Sequence, residues 1–256
     1  WRAWKGVGVL YNIYDLNRAA LGPLRLAAEA TRSVFANPFL PFAYTRAGRA
    51  VVAGVDVLGG VIKTYGKPEW RVDHVEIEGR TRSVVMDEAM ATPFCRLVRF
   101  RPAGYFVNRP KILLGAPLSG HYATLLRGTV AALVANHDVY VTDWVDAREI
   151  PLEAGPFGVA HYIDLLIAFL RRIGENTNVV AVCQPAPLVL AVSAIVAQAE
   201  DAPAPATMTL MGGPVDPRCA RTTVTDVALS HTLDWFEHTV VAAVPPYYPG
   251  AYRRVY

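Results

Sequence analysis

The residues with the clearest capacity for chemistry cluster at one corner of the chain, in the stretch NVVAVCQPAPLVLAV at 178–192. An apolar, β-branched strand runs into a thiol, Cys183, and then directly into a proline-punctuated helix start. A nucleophile elbow needs those three parts: a buried strand, a tight strained turn, and a helix that begins at once. Pro185 and Pro187 both fall in the expected first helical turn, where a missing N–H costs nothing because those donors have no intrahelical acceptor. The N–H of Gln184 would then face whatever reacts on Cys183, as one half of an oxyanion hole. A helix N-terminus also favours thiolate over thiol.

Taken alone, V-x-V-C-Q-P is a weak motif, because many buried cysteines follow apolar strands and only pack. Ala181 and Pro185 also stand where the pattern G-x-S-x-G places its glycines. Position decides between the readings. The strand 178–182 is third in a parallel run that opens with Lys111–Pro117 (KILLGAP), which is where the elbow belongs in an α/β-hydrolase. The loop after the first of those strands carries Leu118-Ser119-Gly120-His121, and in this fold it supplies the second oxyanion donor. The amide of Leu118 or of Ser119 is the candidate. His121 reads as a loop or cap residue, since the general base of the fold follows the last strand. Asp143, at the carboxyl end of 139–142, reads as a capping or loop-orienting residue.

The elements that must hold this corner follow from periodicity. Residues 1–58 carry amphipathic helical patterning, as at Val7, Leu10, Tyr11 and Tyr14, broken by Pro23, Pro38 and Pro41. They read as a helical hairpin, or as a basic, apolar surface that meets a hydrophobic particle. His74–Glu78 and Phe94–Phe100 alternate as half-exposed antiparallel strands. Then come a strand at Lys111–Pro117, a helix at Ala123–Val134, a strand at Val139–Thr142 and a helix at Phe157–Ile173. A strand at Asn178–Val182, a helix at Leu188–Ala199 and a strand at Thr207–Met211 complete the series. Apolar strands alternating with long helices predict an α/β fold. The expected sheet is mostly parallel, flanked by helices and of α/β-hydrolase type, with ligands bound beyond the carboxyl ends of its strands. The expected organisation is a helical extension over 1–65, a partial core over 66–219 and the start of a cap over 220–256.

Composition excludes several classes. With 53% hydrophobic and 18% charged residues, the chain can bury a sizeable core. A net charge of +3 is too small to point to nucleic acid. The charge is uneven, because residues 1–50 alone sum to +5. Three scattered cysteines (Cys95, Cys183, Cys219) form neither a zinc pattern nor a disulfide framework and favour a reducing compartment. No metal or cofactor is called for, no stretch has the composition of a transmembrane helix, and nothing fixes an oligomeric state. The chain opens at Trp1 and closes at Tyr256 after a Tyr-, Pro- and Arg-rich run, the pattern of a piece truncated at both ends.

With those residues in view, a resemblance becomes specific. APLSGHYATLLRGTV, VYVTDWVDAR, VCQP and TLMGGPVDPR, followed by WFEHTVV and YPGAYRRVY, resemble intracellular poly(3-hydroxybutyrate) depolymerases over essentially the whole chain. The resemblance implies that Cys183 is the nucleophile, that Thr222–Val241 begin the region capping the site, and that the catalytic Asp and His lie C-terminal to Tyr256. It also implies a cytoplasmic protein associated with storage granules, whose partner is a polyhydroxyalkanoate polymer surface. The basic N-terminal segment and the Trp, Tyr and Pro residues of 235–256 are the expected contacts. Downstream of Cys183 the chain offers Asp201, Asp216, Asp226, Asp234, His231 and His238 as acids and bases. Both histidines sit in helical patterning that faces water, so no complete triad is expected within 1–256. Three rivals stand beside this reading: a polyhydroxyalkanoate synthase-like acyltransferase, which Ala181 and Pro185 disfavour, a non-catalytic granule-binding scaffold, and a small-molecule thioesterase or esterase, since nothing fixes the acyl chain length.

Overall fold

The computed structural model describes residues 20–62, 66–104, 108–118, 122–199, 203–219 and 221–255, without the side chains of Arg25, Val61 and Ile62. The patterned segment around Val7–Tyr14, together with Ser119, His121 and Asp201, lies outside the described residues. The chain divides into two compact units, Trp1–Gly66 and Lys67–Tyr256.

The first unit is a pair of helices, α1 (Gly22–Phe35) and α2 (Arg46–Ile62). Pro23 stands in the first turn of α1, where its missing N–H is harmless. Pro38 and Pro41 fall in the connection, which tightens into a 3₁₀ turn at Pro41–Tyr44. The Arg32 guanidinium ties α1 to Asp56 of α2 at 2.6 Å.

The second unit is built on a seven-stranded sheet: β1 (His74–Ile77), β2 (Arg80–Ala91), β3 (Cys95–Pro102), β4 (Lys111–Gly115), β5 (Asp138–Trp144), β6 (Thr177–Val182) and β7 (Thr207–Met211). Their order is β1-β2-β3-β5-β4-β6-β7, antiparallel up to β5 and parallel from β5 to β7. This is an α/β-hydrolase sheet. The β1–β2 hairpin turns on Glu78 and Gly79, both with positive φ (51° and 71°), as a two-residue turn that matches the strand twist requires.

Two helices, α4 (Val159–Ile173) and α5 (Ala186–Ala199), cover one face of the sheet. Phe169, Leu166, Leu170, Val189 and Val192 pack there on Leu97, Leu113, Tyr140 and Val179. The other face holds α3 (Arg127–Leu133), whose Val130 and the adjoining Val134 join Trp70, Phe100, Leu114, Val139 and Val141. Neighbouring β5 residues feed opposite cores, Tyr140 one and Val141 the other, because side chains alternate across a strand. The expected helix at Ala123–Val134 is divided: Ala123–Leu126 form a 3₁₀ turn and α3 begins at Arg127. Beyond β7 follow α6 (Thr223–Ser230), α7 (Leu233–Thr239) and a two-residue ladder of β8 (Ala242–Ala243) with β9 (Arg254–Val255). Among the described residues no helix is long and apolar enough to cross a membrane.

Candidate active site

Cys183 stands at the carboxyl end of β6, exposed, with φ +65°. A non-glycine residue in the left-handed region is strained and persists only where its surroundings fix it. Three contacts do so here. The Cys183 N–H donates to the Met211 carbonyl at the end of β7 (2.8 Å), and the Cys183 carbonyl accepts from Ala186 N (3.1 Å). The third is steric. A Cβ on Gly213 would lie 2.7 Å from the Cys183 carbonyl oxygen and closer still to the Ala186 methyl. The glycines missing at 181 and 185 are thus replaced by one from the neighbouring strand end.

The helix begins as anticipated, with a small shift. Pro185 lies in the turn, its carbonyl accepting from Val189 N at 2.9 Å, and Pro187 occupies the first turn of α5. Gln184 is therefore the residue between the strained cysteine and the helix.

The loop after β4 is held from β5. The Ala116 N–H donates to Thr142 Oγ1 (2.8 Å), and Trp144 Nε1 donates to the Ala116 carbonyl (2.9 Å). Two residues on, the Leu118 N–H donates to Gln184 Oε1 at 2.9 Å. Leu118 and the elbow are therefore adjacent, with the Leu118 amide engaged by the carboxamide. For Leu118 to hold an oxyanion, that carboxamide must give way.

The other candidate residues lie elsewhere. Asp143 is buried within β5, where it accepts from the Lys67 ammonium, and its Oδ1 has no partner among the described residues. Burial, and then the Asp143 charge, push the thiol of fully buried Cys95 well above its ordinary range. Asp216 binds Arg218 through both carboxylate oxygens, which lowers its pKa to about 2. Asp226 pairs with Arg221. His231 lies on the Trp235 ring, centroids 3.8 Å apart, with Nδ1 at 3.0 Å from the Val227 carbonyl. The Nδ1 of His238 is 2.7 Å from the Asp234 carbonyl. His161 sits at the N-terminus of α4 beside Gly158, and His137 beside the Leu133 carbonyl. Each of these histidines has its Nδ1 at a backbone atom of its own local segment. Among the described residues no group of three or more His, Cys, Asp or Glu side chains is placed to hold a metal ion.

The segment after β7 is bound to the β5–α4 loop by Arg253, which is buried. Its guanidinium donates to the carbonyls of Ile150 (3.0 Å), Gly155 (2.9 Å) and Pro151 (2.5 Å) and lies over the Phe94 ring. The Gly250 N–H donates to the Arg148 carbonyl, with no room there for a side chain. The sequence carries no local signal for this docking, because its acceptors are backbone carbonyls about a hundred residues away.

Residues 212–256 match the family described as PHB de-polymerase C-terminus. No curated protein matches the chain. Among solved structures, a putative esterase from Staphylococcus aureus is 10% identical, with a TM-score of 0.41, over 77% of this chain and 64% of that one. An alpha/beta hydrolase from the metagenome of Lake Arreo, Spain, is 19% identical (TM-score 0.40; 86% and 67% covered). A hormone-sensitive lipase from a metagenome library is 17% identical (TM-score 0.39; 83% and 62% covered). The chain thus spans about 64% of the length of the first of these structures. The sheet order is that of an α/β fold, and the 212–256 segment is similar to the PHB de-polymerase C-terminus family.

Proposed function

We propose that the protein is an intracellular polyhydroxyalkanoate depolymerase that hydrolyses ester bonds of poly(3-hydroxybutyrate), with Cys183 as nucleophile. The observation that carries the reading is the exposed Cys183 at φ +65° on the β6–α5 turn, in a chain whose 212–256 segment matches the PHB de-polymerase C-terminus.

In the proposed reaction the Cys183 thiolate attacks the ester carbonyl, forming a C–S bond as the carbonyl electron pair moves onto oxygen. The oxyanion is received by the N–H groups of Gln184 and of Leu118 or Ser119. Losing one such donor raises the barrier by about 3–4 kcal/mol. The tetrahedral adduct collapses, the C–O bond breaks, and the departing alkoxide takes a proton from a histidinium. A thioester remains on Cys183. Water, deprotonated by the same histidine, then attacks the thioester and frees the hydroxy acid and the thiolate. His231 and His238 each hold Nδ1 against a backbone carbonyl of their own segment, so neither is assigned as this base. The polymer would be met by apolar residues exposed after β7, including Leu233, Tyr247 and Tyr252.

The test is hydroxybutyrate release from amorphous polymer by the full-length protein, together with trapping of a labelled acyl group. Release abolished by Cys183→Ala, with label on Cys183, is the expected result. Label on another residue, or release that survives the substitution, overturns the assignment. Polymer formed from hydroxyacyl-CoA would establish the acyltransferase instead. Polymer binding with neither reaction would establish the non-catalytic scaffold.

A further inference from the structure

The tip of the helical hairpin is a second surface with its own chemistry. Between Arg32 and Arg49 there are three arginines (Arg32, Arg46, Arg49) and no acidic residue. The same span carries four aromatic residues, and three of them face outward: Phe39 is 92% exposed, Tyr44 70% and Phe42 54%. The tip is firmly built. Asn37 Oδ1 accepts from Phe39 N (2.9 Å), the Tyr44 hydroxyl donates to the Pro38 carbonyl (3.0 Å), and Thr45 Oγ1 accepts from Gly48 N (2.9 Å). Phe35 packs on Phe42 with ring centroids 5.9 Å apart. Gly48 lies so close under the Phe42 carbonyl that any side chain there would collide with it.

A rigid tip that holds large rings in water loses little entropy when those rings enter an apolar phase. The arginines restrict which phase that is. Arg32 is already paired with Asp56, but a neutral apolar face would leave Arg46 and Arg49 desolvated at its edge, whereas anionic headgroups over acyl chains satisfy rings and guanidinium groups together. We propose that residues 32–49 form an anchor for an anionic phospholipid surface, Phe39, Phe42 and Tyr44 entering the headgroup–acyl boundary and Arg46 and Arg49 pairing with phosphates. The anchor is independent of the chemistry assigned to Cys183, and Cys183→Ala is expected to bind as the wild type does.

The test is co-sedimentation of the full-length protein with phosphatidylglycerol–phosphatidylcholine vesicles and with phosphatidylcholine alone. Binding to the mixed vesicles should exceed binding to the neutral ones at least about tenfold and fall with added salt. Phe39→Ser/Phe42→Ser should lower partition at least about tenfold with at most a small drop in the thermal melt, because Phe39 stands in water and Phe42, half-exposed, has only its contact with Phe35 to lose. Arg46→Gln/Arg49→Gln should lower it roughly twenty-five-fold and flatten the salt dependence, at about fivefold per arginine. No binding to mixed vesicles, or equal binding by the wild type and both double variants, overturns the proposal. Should the serine variant not fold, Phe39→Trp provides a second readout: its added emission is quenched by brominated phospholipid if the tip inserts, and unquenched emission refutes insertion. A dimer that the serine variant dissolves, with vesicle binding intact, would make the tip a self-association surface and also overturn the proposal.

Discussion

The carboxamide oxygen of Gln184 accepts a 2.9 Å hydrogen bond from the Leu118 amide, joining the residue after the cysteine to the loop after β4. A neutral oxygen therefore already occupies the Leu118 amide, one of the donors proposed for the oxyanion, and the bond holds that amide in register with the turn at Cys183. Gln184→Glu would put a full negative charge at the same amide. In full-length protein it is expected to lower kcat at least about a hundredfold, the effect of losing one oxyanion donor. Gln184→Ala removes the strut but frees the donor, and about a tenfold loss in kcat with little change in KM is expected. Steady-state kinetics on a soluble ester check both, and a Gln184→Glu enzyme as active as wild type would exclude Leu118 as an oxyanion donor.

The three cysteines should differ sharply in reactivity. Cys183 and Cys219 are exposed, whereas Cys95 is 0% exposed and its thiol is held neutral, by burial first and by the Asp143 charge second. Alkylation of the native protein followed by peptide mapping should modify Cys183 and Cys219 and reach Cys95 only after denaturation. The sign for stability follows. A thiol with a raised folded pKa contributes stability below the unfolded value of about 8.5, and that contribution is lost as pH climbs from there toward the folded value. The alkaline decline in unfolding free energy should be shallower in Cys95→Ala. Equal slopes would count against a raised Cys95.

Gly213 is the residue that lets β7 approach the elbow. A methyl group there would meet the Ala186 side chain and the Cys183 carbonyl. Gly213→Ala is expected to cost about 1–3 kcal/mol, the range for overpacking a tight site. It should also slow alkylation of Cys183, because the turn must move to make room. Gly212 differs, since its φ is +62° with open space around it, and Gly212→Ala should cost only about 1 kcal/mol through backbone strain. Urea denaturation and thiol kinetics on the two variants separate the effects; equal behaviour of both would remove the steric account.

How far the sequence disclosed this architecture depended on locality. Lys111–Gly115, Thr207–Met211 and Val159–Ile173 are legible because each is one apolar or periodic run, and the strand–cysteine–helix corner is legible for the same reason. β2 escapes detection because a register shift between Glu88 and Met90 breaks its period-two alternation and polar residues stand among its apolar ones. Leu118 is reachable by analogy with the fold, but the side chain of Gln184 is not, since its acceptor role exists only once two distant loops are adjacent. The β8–β9 ladder is too short to carry a propensity and is fixed by contacts from elsewhere in the chain.

Arg253 is the clearest of those contacts, and its removal should be costly out of proportion to its place near the chain's last described residue. Its guanidinium satisfies three carbonyls of the β5–α4 loop, at Ile150, Pro151 and Gly155. Truncation leaves the Ile150 carbonyl buried without its donor and the part-buried Pro151 and Gly155 carbonyls to water. A hydrogen bond to a charged group contributes about 1.5–3 kcal/mol, so Arg253→Met should destabilise by about 3 kcal/mol even if two of the three carbonyls find water. Arg253→Lys should recover only part of this, because an ammonium lacks the planar fork that reaches three carbonyls at once. Hydrogen exchange should show the loss at the amide of Gly250, whose acceptor is the Arg148 carbonyl in the same loop. Should Arg253→Met unfold at the same urea concentration as wild type, the segment after β7 does not depend on this residue for its docking.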